Sequence, residues 1–166
     1  MAAQEYNELF KRMCDLCKAN KWGDPFNYAR GKEIHMANIL GHKIADTLSG
    51  ADAEDEDGEC EYKSTVNKNI SATYNGISKH KTIEEQEQYL KTEKICKYTN
   101  HYFSRFDENG NVVEIYKMHC NKVFEYVWEK IKIQFFKTNR KDPRLGVQIP
   151  KKYIIENAIK IYPLVQ

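Results

Sequence analysis

The segment Gly50–Ser64, GADAEDEDGECEYKS, constrains the fold more than any other stretch, because it carries seven acidic residues around a single turn signal. Asp57-Gly58 favours a tight reversal. The small apolar residues Ala51, Ala53 and Cys60 alternate with the acids, as in strands with one apolar and one polar face. The segment therefore reads as a β-hairpin. With Asp55 to Gly58 as its loop, Glu54 faces Glu59 and Asp52 faces Glu61; with Asp57-Gly58 alone as the turn, Asp52 faces Lys63 and Glu54 faces Glu61. In both registers the period of two keeps Asp52, Glu61 and Lys63 on one face.

Carboxylates opposed across a hairpin repel unless a cation lies between them. Magnesium suits such a position, since it takes one or two protein carboxylates, retains several waters and fills its remaining sites with phosphate oxygens. Hydrolysis of a phosphodiester then needs an activated water and neutralisation of charge at phosphorus. Lys63 is placed to orient or deprotonate that water and to offset the charge.

These residues resemble the PD-(D/E)xK nuclease superfamily, which includes many type II restriction endonucleases. The matching pieces are Asp52 in Gly50-Ala51-Asp52 and, nine residues on, Glu61-Tyr62-Lys63. Ala51 stands where the family often has proline. The resemblance covers about residues 30 to 78, and the order helix, sheet, helix extends it loosely. It implies that Asp52, Glu61 and the backbone carbonyl of Tyr62 hold Mg2+, with Mn2+ as a substitute. It also implies that Lys63 is the catalytic lysine and that Glu33, on the preceding helix, is an auxiliary acid. The implied activity is site-specific cleavage of double-stranded DNA by a homodimer whose two-fold axis matches that of the duplex. Two alternatives remain: a junction-resolving or repair nuclease of the same fold, and a nucleic-acid-binding protein without catalysis.

At 166 residues the chain fits a single nuclease domain, 1–166. The 26 basic and 24 acidic residues leave a formal charge of +2, so net charge names no partner. Placement does more, with acids crowded into residues 52–61 and Lys and Arg dominant over 63–81 and 130–152. The N-terminus lacks an apolar run and no stretch approaches the roughly 18 apolar residues of a membrane span, which predicts a soluble, cytoplasmic protein without membrane contact. Five scattered cysteines, an odd number, predict reduced thiols.

Apolar spacing predicts a helix over 3–20, on Tyr6, Leu9, Phe10, Met13, Leu16 and Cys17, and a second over about 25–46. The stretches LSGADA, GECEYKST and NISATYNGIS read as strands of a sheet core spanning 47–78. Thr82 with Glu85 forms a capping box for a helix running towards Cys96. Asn109-Gly110 joins two strands, Val123 to Phe135 marks a long helix, LGVQI is strand-like, and a last helix starts at Lys151. The expected architecture is an α/β fold with a mixed, largely antiparallel sheet flanked by helices, restriction-endonuclease-like.

Other signals carry less. Aligning Gly58 with position six of a calcium loop puts Ala53 and Ser64 where its first acid and final glutamate belong. Cys14 and Cys17 lie within the first helix, without a second ligand pair for zinc. After the hairpin, Tyr74, Asn75, Lys79 and Lys81 read either as a candidate DNA contact, with Asn and Lys for base edges and Lys and Tyr for phosphate, or as a plain strand and a basic loop, and Lys137–Arg144 is a basic run of the kind that most often forms a solvated loop.

Overall fold

The computed structural model describes residues 1–27, 29–46, 50–137 and 144–163. Among the described residues it is a mixed α/β structure with five α-helices, a six-stranded sheet and a two-stranded one. Contacts divide the chain, expected to be one domain, into two compact units, Met1–Cys60 and Glu61–Gln166. The sheet order is β1 (Lys43–Ile44), β2 (Ala53–Asp55), β3 (Gly58–Thr65), β5 (Asn100–Phe106), β6 (Val112–His119), β8 (Ile159–Tyr162), with β4 (Ala72–Ile77) and β7 (Leu145–Ile149) forming the separate ribbon. No described helix is long and apolar enough to cross a membrane.

In the first unit, α1 (Ala2–Ala19) has the expected stripe, yet of that stripe Cys17 alone is buried. Phe10 instead stacks on Phe26, ring centroids 4.4 Å apart. Helix α2 (Arg30–Leu40) stops well before Asp46, the expected end. Gly41 adopts a left-handed φ of 71°, which lets the next amide, of His42, turn back to the Ala37 carbonyl at 2.9 Å. Glycine enters this region without the clash a Cβ brings. The freed residues Lys43–Ile44 form β1, pairing with β2 (Ala53–Asp55). The buried guanidinium of Arg30 ties the unit together, donating to the carbonyls of Trp22 and Ala45 and to the Glu33 carboxylate. Of the expected strand LSGADA, Leu48 and Ser49 lie outside the described residues.

The second unit contains the rest of β3 (Gly58–Thr65), β4 (Ala72–Ile77), α3 (Ile83–Tyr89), a π-helical turn (Leu90–Lys94), β5 (Asn100–Phe106) and β6 (Val112–His119), then α4 (Cys120–Phe135), β7 (Leu145–Ile149), α5 (Lys151–Asn157) and β8 (Ile159–Tyr162). Helix α4 buries Val123, Val127, Ile131 and Phe135, one per turn, against Tyr74, Val147 and other members of one apolar cluster. Strand β5 is buried at all but one position, and three of its buried residues, Asn100, His101 and Ser104, are polar. At the β5–β6 turn Asp107 accepts from the Asn111 side chain and then from the amides of Asn111 and Asn109, which hold its carboxyl below the usual range.

The Thr82–Glu85 capping box is formed in both directions: the Glu85 amide donates to the Thr82 hydroxyl at 3.1 Å, and the Thr82 amide to the Glu85 carboxylate at 3.3 Å. Thr82→Ala leaves that helix amide without its acceptor, and thermal denaturation should show a loss of about 1 kcal/mol.

All five cysteines are free thiols, as expected. Burial, followed by the neighbouring Cys120, pushes the Cys96 thiol up to about 12. Since the thiolate is the reactive form, Cys96 should resist iodoacetamide at pH 8 under native conditions and react fully in urea, as read by mass spectrometry.

Candidate active site

The register of the β2–β3 hairpin is Ala53↔Cys60, Glu54↔Glu59, Asp55↔Gly58, the first of the two alternatives. Glu56 and Asp57 form the turn, and the Asp57 amide donates to the Asp55 carboxylate at 2.8 Å. Such a side-chain bond to the backbone two residues on is why aspartate favours turns. Ala51, Ala53 and Cys60 are buried, so the acids on the alternate positions take the opposite, more accessible face. Half-buried Asp52 lies just before β2, its amide donating at 3.1 Å to the carbonyl of Cys60, the residue that precedes Glu61 along β3.

In the second unit, β3 continues the alternation. Tyr62 points into the core, its ring edge-on to Tyr102 at 5.6 Å, while Glu61 and Lys63 share the other face and are each about one-fifth exposed. The Lys63 ammonium donates to the Glu61 carboxylate and, at 3.2 Å, to the Tyr62 carbonyl. Two oxygens of the ExK segment thus converge on one cationic nitrogen. This donor chemistry, a carboxylate and a carbonyl, is what a hard divalent cation takes, and magnesium needs no more than one or two carboxylates. Among the described residues no three His, Cys, Asp or Glu side chains gather as a cage that would hold a metal by itself.

The same ammonium stands 5.5 Å from the centroid of the Tyr74 ring, a cation–π contact. Tyr74 is buried on β4, which corrects its assignment as a DNA contact. Its hydroxyl lies 2.8 Å from Nδ1 of His101, whose Nε2 lies 3.0 Å from the Ile95 carbonyl. A carbonyl only accepts, so Nε2 carries the proton and donates. Burial, reinforced by Lys63, lowers the His101 pKa to about 3, leaving the ring neutral near pH 7. Nδ1 then has only a lone pair to offer, and the Tyr74 hydroxyl donates to it. A fixed chain runs from the Ile95 carbonyl through His101 and Tyr74 to the lysine of the ExK segment.

Glu33 lies on α2, 3.3 Å from the buried Arg30 guanidinium, whose charge it balances. Asn75, Lys79 and Lys81 are exposed. Lys79 rests over the Phe135 ring at 4.9 Å. Within the basic loop Lys137–Arg144, residues 138–143 lie outside the described residues. His101 and Arg30 carry no sequence signal of their own, since what distinguishes them is burial among hydrogen-bond partners distant in the chain. No known family model and no curated protein matches this chain.

Proposed function

We propose that the protein is a magnesium-dependent endonuclease that cuts double-stranded DNA at specific sites. The observation that carries this reading is the convergence of the Glu61 carboxylate and the Tyr62 carbonyl on one cation, the Lys63 ammonium. Asp52, Glu61 and the Tyr62 carbonyl would hold the divalent cation. When bound, magnesium lowers the pKa of its water and offsets charge on the phosphate. Lys63 orients the attacking water and stabilises negative charge at phosphorus, and Tyr74, steadied by His101, keeps the ammonium on that face. Glu33, already engaged with Arg30, serves as an auxiliary acid. The protein acts as a homodimer, so that each copy cuts one strand of a two-fold symmetric site.

The reading is tested by incubating the purified protein with supercoiled plasmid in magnesium, in manganese and in EDTA, beside a four-way junction. Linear plasmid formed with either metal and not in EDTA supports it. Cleavage of the junction alone moves the substrate to branched DNA, and no cleavage of either removes the enzymatic reading.

A further inference from the structure

The β4–β7 ribbon has one face in the core and one outside. Ala72, Tyr74 and Ile77 of β4, with Leu145, Val147 and Ile149 of β7, are buried, while Thr73, Asn75 and Gln148 point outward. The pairing shifts between Tyr74↔Val147 and Ile77↔Leu145, so Asn75 and Gly76 together oppose the single residue Gly146. This bulge, with Gly76 at a φ of 65°, keeps Tyr74 and Ile77 inward and leaves Asn75 on the outer face. The Asn75 amide oxygen lies over Gly146, where a Cβ would stand only 3.1 Å from it, so the missing side chain makes room for Asn75.

Two open grooves of about 620 and 530 Å3 run along this face and share Gln148. Arg144 lines the first and Lys68, Lys151 and Lys152 the second, and among the described residues no carboxylate lines either. The outer face thus offers amides and a hydroxyl at its centre and cations at its rim, which complements a polyanion that displays hydrogen-bonding edges.

We propose that the outer face of the β4–β7 ribbon is a base-reading surface that enters the major groove of duplex DNA. That groove, roughly 12 Å wide, admits a two-stranded ribbon whose strands are about 4.8 Å apart. Asn75 and Gln148 have the paired donor and acceptor that match adenine at N6 and N7, and the Thr73 methyl matches that of thymine. Lys68 and Lys151 neutralise phosphates. The inference rests on the nuclease reading for its biological setting and couples to it through β4: Tyr74, on the inner face, touches Lys63, and Asn75, the next residue, faces the bases.

The test is selection from a pool of short duplexes with a randomised centre, bound in EDTA so that no cleavage intervenes, with sequencing of the bound fraction. Wild type should enrich positions rich in A·T pairs. Asn75→Ala and Gln148→Ala should each relax preference at one position by on the order of tenfold. Lys68→Ala with Lys151→Ala should weaken binding to every sequence and make the dependence of log K on log salt shallower by roughly 2. Thr73→Glu, an exposed change that leaves the core untouched, should weaken binding at least tenfold, on the order expected for a charge placed against phosphate. Unchanged enrichment and affinity in these variants, a preference for single-stranded RNA, or no binding of duplex DNA would overturn the inference. Magnesium-dependent cutting by the same proteins is read separately. Cutting with ribbon variants that behave as wild type removes this inference alone, whereas ribbon-dependent binding without cutting removes the nuclease reading alone.

Discussion

Replacement of Lys63 by alanine is expected to slow single-turnover cleavage of duplex DNA about 10²–10⁴-fold, the range that one positioned proton-transfer or charge-stabilising group supplies. The substitution removes the ammonium that bridges Glu61 and the Tyr62 carbonyl and stands over Tyr74. It leaves Tyr62 packed against Tyr102 and so spares the core side of the strand. Binding of the same duplex in EDTA should change by no more than a few-fold, which separates a role in the chemical step from a role in affinity. Lys63→Arg keeps the charge but replaces a compact ammonium by a planar fork, so it should restore little of the rate. A Lys63→Ala rate within tenfold of wild type would place the chemistry elsewhere.

A second large effect concerns His101. Its pKa of about 3 in the folded chain lies below the value near 6.5 of an exposed histidine, so between these limits the unfolded chain binds the proton more readily. Stability is then fully present above pH 6.5 and falls as the pH is lowered towards 3, at up to about 1.4 kcal/mol per pH unit from this one group. The total approaches ~4–5 kcal/mol, a large part of the stability of an ordinary domain. His101→Phe abolishes the titration but leaves the Tyr74 hydroxyl and the Ile95 carbonyl buried without this partner, at a cost of about 2–4 kcal/mol at neutral pH. Urea denaturation from pH 7 to pH 4 checks both statements. The variant should start lower and decline less steeply, and equal slopes for the two proteins would contradict the assignment.

Local patterns in the sequence carried much of this structure. The turn at Glu56-Asp57 and its neighbouring Gly58, the Thr82–Glu85 box and the reversal at Asn109-Gly110 each depend on residues within five positions of one another, so the sequence displays them directly. The stripe of α4 is similarly open to reading, because four buried residues recur once per turn. Strand β8 is not legible in the sequence: Ile159–Tyr162 is short, partly exposed and follows α5 almost without a break, where alternation over four residues is too brief to stand out. The end of α2 is hidden in the sequence because the apolar residue Ile44 continues the helical spacing while Gly41, three residues earlier, has already turned the backbone.

The candidate site divides in the same way. Glu61 and Lys63 share a face because a strand has a period of two, and that much needs only the sequence. Tyr74 and His101 join them from β4 and β5, 27 residues apart, and no short motif records such a meeting. Their burial also separates two neighbours that looked alike in sequence: Tyr74 turns inward to Lys63, and Asn75 turns outward.

The central claim, that the hairpin is a metal-dependent nuclease centre, is tested most directly by incubating wild type, Asp52→Asn and Glu61→Gln with long mixed-sequence duplex DNA in magnesium. Discrete fragments from wild type, lost in both variants and in EDTA, are the predicted result; fragments that persist in both variants, or none from wild type in magnesium or manganese, would contradict it.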